Sequence, residues 1–67
     1  MNEYIVNIRF VDGSEYEVVV GAESKSEAIK TCFGNGKKYM IAPIADTKDK
    51  IGYSVDALCW VTVIEEV

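Results

Sequence analysis

Two runs within the first twenty residues place apolar side chains at every second position, which is the period of a half-buried β-strand. The apolar positions of the first predicted strand are Tyr4, Val6, Ile8 and Phe10. Those of the second predicted strand are Tyr16, Val18 and Val20. The turn-forming pair Asp12-Gly13 separates the two runs, so the pattern predicts an antiparallel hairpin.

The alternation also selects the register of this hairpin. A two-residue loop at Asp12-Gly13 would set Ile8 opposite Glu17 and mix core and solvent residues on one face. A three-residue loop, with Gly13 in the left-handed conformation, instead sets Ile8 opposite Tyr16. We therefore predict the three-residue loop.

A helix start follows the second strand. Ser24 can accept a hydrogen bond from a free backbone amide while Glu27 reaches back, as in a capping box. The apolar stripe at helical spacing is Ala28, Ile29, Cys32 and Phe33. Gly34 is a natural left-handed stop, which limits the helix to about three turns.

The second half of the chain predicts three more strands. Lys38–Ala42 reads as a short strand ended by Pro43, and Ile51–Val55 alternates as another. Leu58–Glu65 is almost continuously apolar, which is typical of a central strand. We therefore expect a single α+β domain over residues 1–67, in the order β-β-α-β-β-β, with one helix on one face of an antiparallel sheet of four to five strands. The pairing within residues 38–55 stays open.

The residues needed for most catalytic and metal-site chemistry are missing. The chain has no histidine, and its two cysteines stand far apart at Cys32 and Cys59. Histidine is the side chain best suited to proton transfer near neutral pH and the commonest metal ligand. We expect a non-enzymatic protein without cofactor or metal, in which both thiols are reduced and buried.

Charge is distributed unevenly along this acidic chain of net charge −4 and pI 4.6. Residues 1–23 carry a net charge of −4, residues 24–50 carry +3, and residues 51–67 carry −3. This balance argues against general nucleic-acid binding, which depends on a basic face. The N-terminal residues show no leader pattern and no run is long enough to span a membrane, so we expect a cytoplasmic protein.

The acidic hairpin is the leading candidate for a partner surface. One helix cannot cover both faces of the sheet, and an uncovered apolar face is typical of self-association or partner binding. The candidate partner-binding residues are Glu3, Asp12, Glu15, Glu17, Ile5 and Val19. The pair Glu15 and Glu17 has two interpretations: a general acid and base, or a solvated face balanced by Arg9. We prefer the solvated face.

The central lysines offer a second, weaker candidate. The alternative nucleic-acid-binding residues are Lys37, Lys38, Lys48, Lys50 and Tyr39. Lysine contacts phosphate and tyrosine can stack on a base. The competing interpretation is a set of solubilising loops around core aromatic residues, which the overall acidity favours.

The strand that leads into the helix resembles short phage- and plasmid-borne proteins in which a hairpin strand runs into A-x-S-x-x-E-A. Ala22, Ser24, Glu27 and Ala28 match that pattern, and the resemblance covers about the first half of the chain. It carries no catalytic residue. It implies a mobile-element context, in which small acidic proteins, anti-CRISPR and other anti-defence proteins among them, bind and inhibit host proteins.

We therefore expect a protein that binds and inhibits or modulates a host protein with a basic surface. The alternatives are a small nucleic-acid-binding module that uses the central lysines, and a homo-oligomeric structural or accessory protein. Homodimerisation through the uncovered face, or through a sheet edge near Pro43, remains open beside binding to a foreign partner.

Overall fold

The computed structural model describes all residues from Met1 to Val67 as five strands and one α-helix. In chain order these are β1 (Asn2–Phe10), β2 (Glu15–Ala22), α1 (Lys25–Cys32), β3 (Tyr39–Pro43), β4 (Lys50–Ser54) and β5 (Leu58–Glu66). Two 3₁₀ turns, Gly34–Gly36 and Val55–Ala57, lie between them. The predicted α+β class with antiparallel strands is confirmed, and the 3₁₀ turns are additions to the predicted order.

The hairpin of β1 and β2 has the predicted register. Ile8 pairs with Tyr16 and Arg9 pairs with Glu15. The Phe10 amide donates to the Ser14 carbonyl at 2.9 Å and closes a three-residue loop. Gly13 lies at φ +90°, in the left-handed region where a side chain would be strained.

The helix begins at the predicted cap and stays within the predicted limit of about three turns. The Glu27 amide donates to the Ser24 hydroxyl at 3.2 Å. The Glu27 carboxylate accepts from the amide of Glu23 at 3.1 Å, one residue earlier than the predicted capping box required. Only eight residues are helical, and Gly34 follows at φ +88°. No helix of the structure combines the length and the apolar character needed to cross a bilayer.

The strands form two sheets, which corrects the prediction of one sheet of four to five strands. A three-stranded sheet has the order β2-β1-β5, and β3 pairs only with β4. One bridge, between Val18 and Ile44, and a hydrogen bond from the Ala45 amide to the Glu17 carbonyl at 2.8 Å join the sheets. Pro43 has no amide to donate, and a cavity of about 150 Å³, lined by residues of both strands, lies between β2 and β3.

The prediction that the last strand is central is wrong, because β5 pairs only with β1 and lies at the edge of the sheet. Its pairing with β1 shifts register twice, which leaves Cys59 and Ile64 as bulged residues. Cys59 is consequently exposed, contrary to the expectation of two buried thiols, whereas Cys32 is buried; both are free.

The core lies between α1 and one face of the three-stranded sheet. The largest fully buried side chains are Ile8, Val6, Val18 and Cys32. The β3-β4 hairpin closes one end of the core through Tyr53, whose ring lies 5.4 Å from that of Phe10. The Tyr53 hydroxyl donates to the Cys32 carbonyl at 2.7 Å, which ties this hairpin to the end of α1.

Candidate partner-binding face

The second face of the three-stranded sheet is not covered by any element. All buried residues of β1 and β2 have even numbers, so the odd-numbered side chains point to the opposite side. The register of β5 adds three residues to that side. We call this surface the open face; its residues are Glu3, Ile5, Asn7, Arg9, Glu15, Glu17, Val19, Trp60, Thr62 and Glu65.

An apolar pair lies at the middle of the open face. Ile5 on β1 is directly opposite Val19 on β2, and both side chains are partly buried by their neighbours. Cross-strand apolar pairs of this kind stabilise a sheet. They also leave apolar surface that a partner can remove from water.

Arg9 is held between two neighbours on the open face. Its guanidinium carbon lies 5.1 Å from the centre of the Trp60 ring, a cation–π contact. Its Nη2 atom lies 3.5 Å from a carboxylate oxygen of Glu15, and both side chains are more than 40% exposed. A contact that long and exposed contributes little to stability, so Glu15 stays available to a partner.

The open face is acidic. It carries four carboxylates against one guanidinium, a net charge of −3. Three of these carboxylates belong to Glu3, Glu15 and Glu17, and the fourth belongs to Glu65 on β5. The cation of Arg9 sits beside Glu15, so the other three carboxylates have no basic neighbour in an ion pair.

The structure brings five of the six predicted partner-binding residues onto this face: Glu3, Ile5, Glu15, Glu17 and Val19. The sixth, Asp12, lies at the tip of the hairpin instead. Its carboxylate accepts from the Ser14 hydroxyl at 2.7 Å and from the Ser14 amide at 2.9 Å. These two hydrogen bonds lower the pKa of Asp12. Asp12 thus shapes the loop, away from the sheet surface.

The sequence reasoning did not include the residues that β5 contributes. Trp60 lies beside Arg9, Thr62 beside Asn7, and Glu65 near Ile5. Trp60 and Thr62 are two apart and therefore share one face of a strand, which is the signal that could have identified them. What the sequence did not reveal is that β5 pairs with β1.

The predicted lysine cluster is split by the β3-β4 hairpin. Lys37 and Lys38 precede β3, whereas Lys50 pairs with Pro43 at the far end of that strand. Four residue steps of a strand place these ends roughly 13 Å apart. Tyr39 is exposed and follows Lys37 and Lys38 directly, whereas Lys48 lies in the loop just before Lys50, at the other end of the hairpin. The lysines therefore do not form one continuous basic track.

The acid–base interpretation of Glu15 and Glu17 gains no geometric support. Both side chains are exposed, and neither lines either of the two cavities of the molecule. No group of three or more potential metal-ligating Cys, Asp or Glu side chains is gathered in the structure.

Comparison of the chain with known protein families, with curated proteins and with solved structures finds no match.

Proposed function

We propose that this chain is a non-enzymatic binding protein whose open face docks on a basic surface of another protein. The observation that carries the proposal is the apolar pair of Ile5 and Val19 with the carboxylates of Glu3, Glu17 and Glu65 beside it, and that of Glu15 further along β2. Protein interfaces typically combine an apolar centre with a polar rim, and this face has both.

Electrostatics favours a basic partner. Because the face carries a net charge of −3, its field attracts a positive surface and accelerates the encounter. The apolar centre contributes affinity after the encounter, since it is removed from water on docking. A nucleic acid would be repelled by the same face.

The proposed biological role is inhibition or modulation of a host protein by a phage- or mobile-element-encoded protein. Support comes from the resemblance around Ala22, Ser24, Glu27 and Ala28 and from the acidity of the chain. A row of carboxylates can occupy a basic groove that normally holds phosphate groups, because both are anions that accept hydrogen bonds from Arg and Lys.

The test is a charge reversal on the open face with a matched reversal elsewhere. The double variant Glu15→Lys and Glu17→Lys is compared with Asp49→Lys and Asp56→Lys. The control residues are exposed, lie off the face, and use no side-chain hydrogen bond or ion pair. Both variants change the net charge equally, so they separate the position of the charge from its amount.

Each tagged protein is incubated with nuclease-treated host lysate and washed at low and high salt, and the retained proteins are identified by mass spectrometry. The proposal expects one basic protein retained by the wild type and the control, and lost from the open-face variant. Retention by all three proteins would contradict the placement of the site. A protein that is recovered from a parallel incubation with untreated lysate, and not from the nuclease-treated lysate, would favour nucleic-acid binding instead.

A further inference from the structure

The outer edge of β5 is the longest unpaired strand edge of the molecule. β5 has nine residues and only one neighbour, β1. The other free strand edges are less accessible. The outer side of β2 is partly covered by the segment at Ile44 and Ala45, and β4 has five residues and begins with Lys50. A long free edge presents unpaired backbone donors and acceptors to a further strand.

Hydrogen-bond alternation identifies which residues of β5 present these groups. The Val11 amide donates to the Ala57 carbonyl, and the Val67 amide donates to the Glu3 carbonyl. Odd-numbered residues of β1 thus direct their backbone groups toward β5. The backbone amides and carbonyls of their partners, Trp60 and Thr62, point toward β1. Those of Val61 and Val63 therefore point away from β1, to the free edge of the sheet.

This edge lacks most of the features that protect strand edges from pairing. Residues 58–64 contain no charged residue and no proline. The bulges at Cys59 and Ile64 lie at the two ends and leave residues 60–63 in regular register with β1. Trp60 is 50% exposed and Ile64 is 49% exposed. Protected edges normally carry an inward charge, a lysine or a proline along such a run.

We infer that two copies of this chain pair through β5, antiparallel, about a two-fold axis at Thr62. A residue whose backbone groups point to the free edge can form hydrogen bonds only with a residue of the same kind in the other copy. Val61 of one copy therefore pairs with Val63 of the other. Thr62 is also the middle residue of Leu58–Glu66, so this register overlaps the two strands over their full length. Alternatives centred on Val61 or Val63 leave strand ends unpaired.

The residues that face each other across this register favour a second copy as the occupant of this edge. In the Thr62-centred register Glu65 faces Cys59 and Glu66 faces Leu58 of the other copy, so no carboxylates are opposed. Trp60 faces Ile64 across the same pairing, which removes two exposed apolar side chains from water. An isologous pairing of this kind closes on itself and does not propagate into fibres.

The pairing uses the backbone edge of β5 and extends the open face; of the residues of that face, Trp60, Thr62 and Glu65 lie along the new seam, while those of β1 and β2 stay free. A two-fold axis perpendicular to the sheet keeps the same face of both copies on one side, which gives a continuous sheet in the order β2-β1-β5-β5-β1-β2. The inference is therefore independent of the proposed function, and the two respond to salt in opposite directions. Self-pairing of two chains of net charge −4 strengthens as salt screens their repulsion, whereas docking on a basic partner weakens.

Thr62→Lys tests the axis by placing two ammonium groups opposite each other. Thr62 is exposed in the single chain, so the substitution leaves the fold intact, and circular dichroism verifies this. Sedimentation velocity over a concentration series gives the mass. We expect the wild type to reach about twice 7.4 kDa and Thr62→Lys to raise the dissociation constant at least about tenfold. Ser26→Lys, on the exposed side of α1, is the matched control and dimerises as the wild type does.

Thr62→Cys tests the register directly. In a pair without mutual hydrogen bonds the two Cα atoms lie about 4.5 Å apart, which is within reach of a disulfide. In a Cys59→Ser background we expect mild oxidation to give a covalent dimer for Thr62→Cys, and none for Ser26→Cys. A wild type that stays monomeric up to millimolar concentration overturns the inference. So does a dimer that survives Thr62→Lys and does not crosslink at Thr62→Cys.

Discussion

Tyr53 connects three parts of the molecule through a single side chain. Its ring packs on Phe10 of β1, and its hydroxyl donates to the carbonyl of Cys32 at 2.7 Å. That carbonyl belongs to the last turn of α1, where no helical amide remains to satisfy it. Tyr53 thus anchors the β3-β4 hairpin and terminates the helix at the same time.

Tyr53→Phe isolates the hydrogen bond, because it removes the hydroxyl and keeps the ring in place. We expect the free energy of unfolding to fall by about 1–3 kcal/mol, since a buried carbonyl loses its partner. Urea denaturation of both proteins measures the difference. Tyr39→Phe is the matched control, because Tyr39 is 73% exposed and should lose almost nothing. Equal stability of Tyr53→Phe and the wild type would show that water replaces the hydroxyl.

Local elements could be predicted from the sequence because their determinants are adjacent in the chain. The loop before Ser14 and the cap at Ser24 each depend on a few neighbouring residues, and both were predicted correctly. The position of β5 could not be predicted in this way. The alternation of apolar and polar residues indicates which face of a strand is buried. It does not indicate whether the strand has a hydrogen-bonded neighbour on one side or on both. β1 alternates and is central, whereas β5 is apolar on both faces and lies at an edge.

The N-cap of α1 at Ser24 is expected to contribute to the stability of the fold. Ser24→Ala removes the acceptor for the Glu27 amide, so we expect a loss of about 1 kcal/mol in the free energy of unfolding. Ser26→Ala is the matched control, because Ser26 is exposed and its hydroxyl makes no hydrogen bond in the structure. Thermal unfolding followed by circular dichroism compares the two. A loss as large for Ser26→Ala would mean that the cap is not the cause.

At the scale of the whole molecule, the position of the single short helix determines which face of the three-stranded sheet stays uncovered. α1 covers the even-numbered face of β1 and β2, and the β3-β4 hairpin forms a separate two-stranded sheet that closes the end of the core. The sequence therefore predicted the half of the open face that lies on the hairpin. The contribution of β5 depends on a pairing between the two ends of the chain, which local patterns do not specify.

Stability of the whole chain should fall in alkaline solution. Burial raises the pKa of the Cys32 thiol from 9.0 to about 11. Burial, together with the charge of Cys32, raises the pKa of Tyr53 from 10.0 to about 12. The folded state thus retains protons that the unfolded chain releases at lower pH. This contribution to stability is complete below about pH 9 and is lost as the pH rises through the folded values.

The measurement is the urea midpoint from about pH 8 to about pH 11. We expect Cys32→Ala to be less stable overall but to show a shallower decline, because one of the two groups no longer titrates. Cys59→Ala, at the exposed cysteine, is the matched control and should decline as steeply as the wild type. A decline of equal steepness in Cys32→Ala would exclude the buried thiol as the cause.

The chain contains a single tryptophan, and the fold places it on the surface, half exposed, over the guanidinium of Arg9. Its fluorescence therefore reports the polarity of one small region of the sheet and not the packing of the interior. Anything that docks there or along the adjacent edge excludes water from the indole, which shifts the emission to shorter wavelength. The molecule thus carries its own optical probe, and titrations can follow its associations without a label.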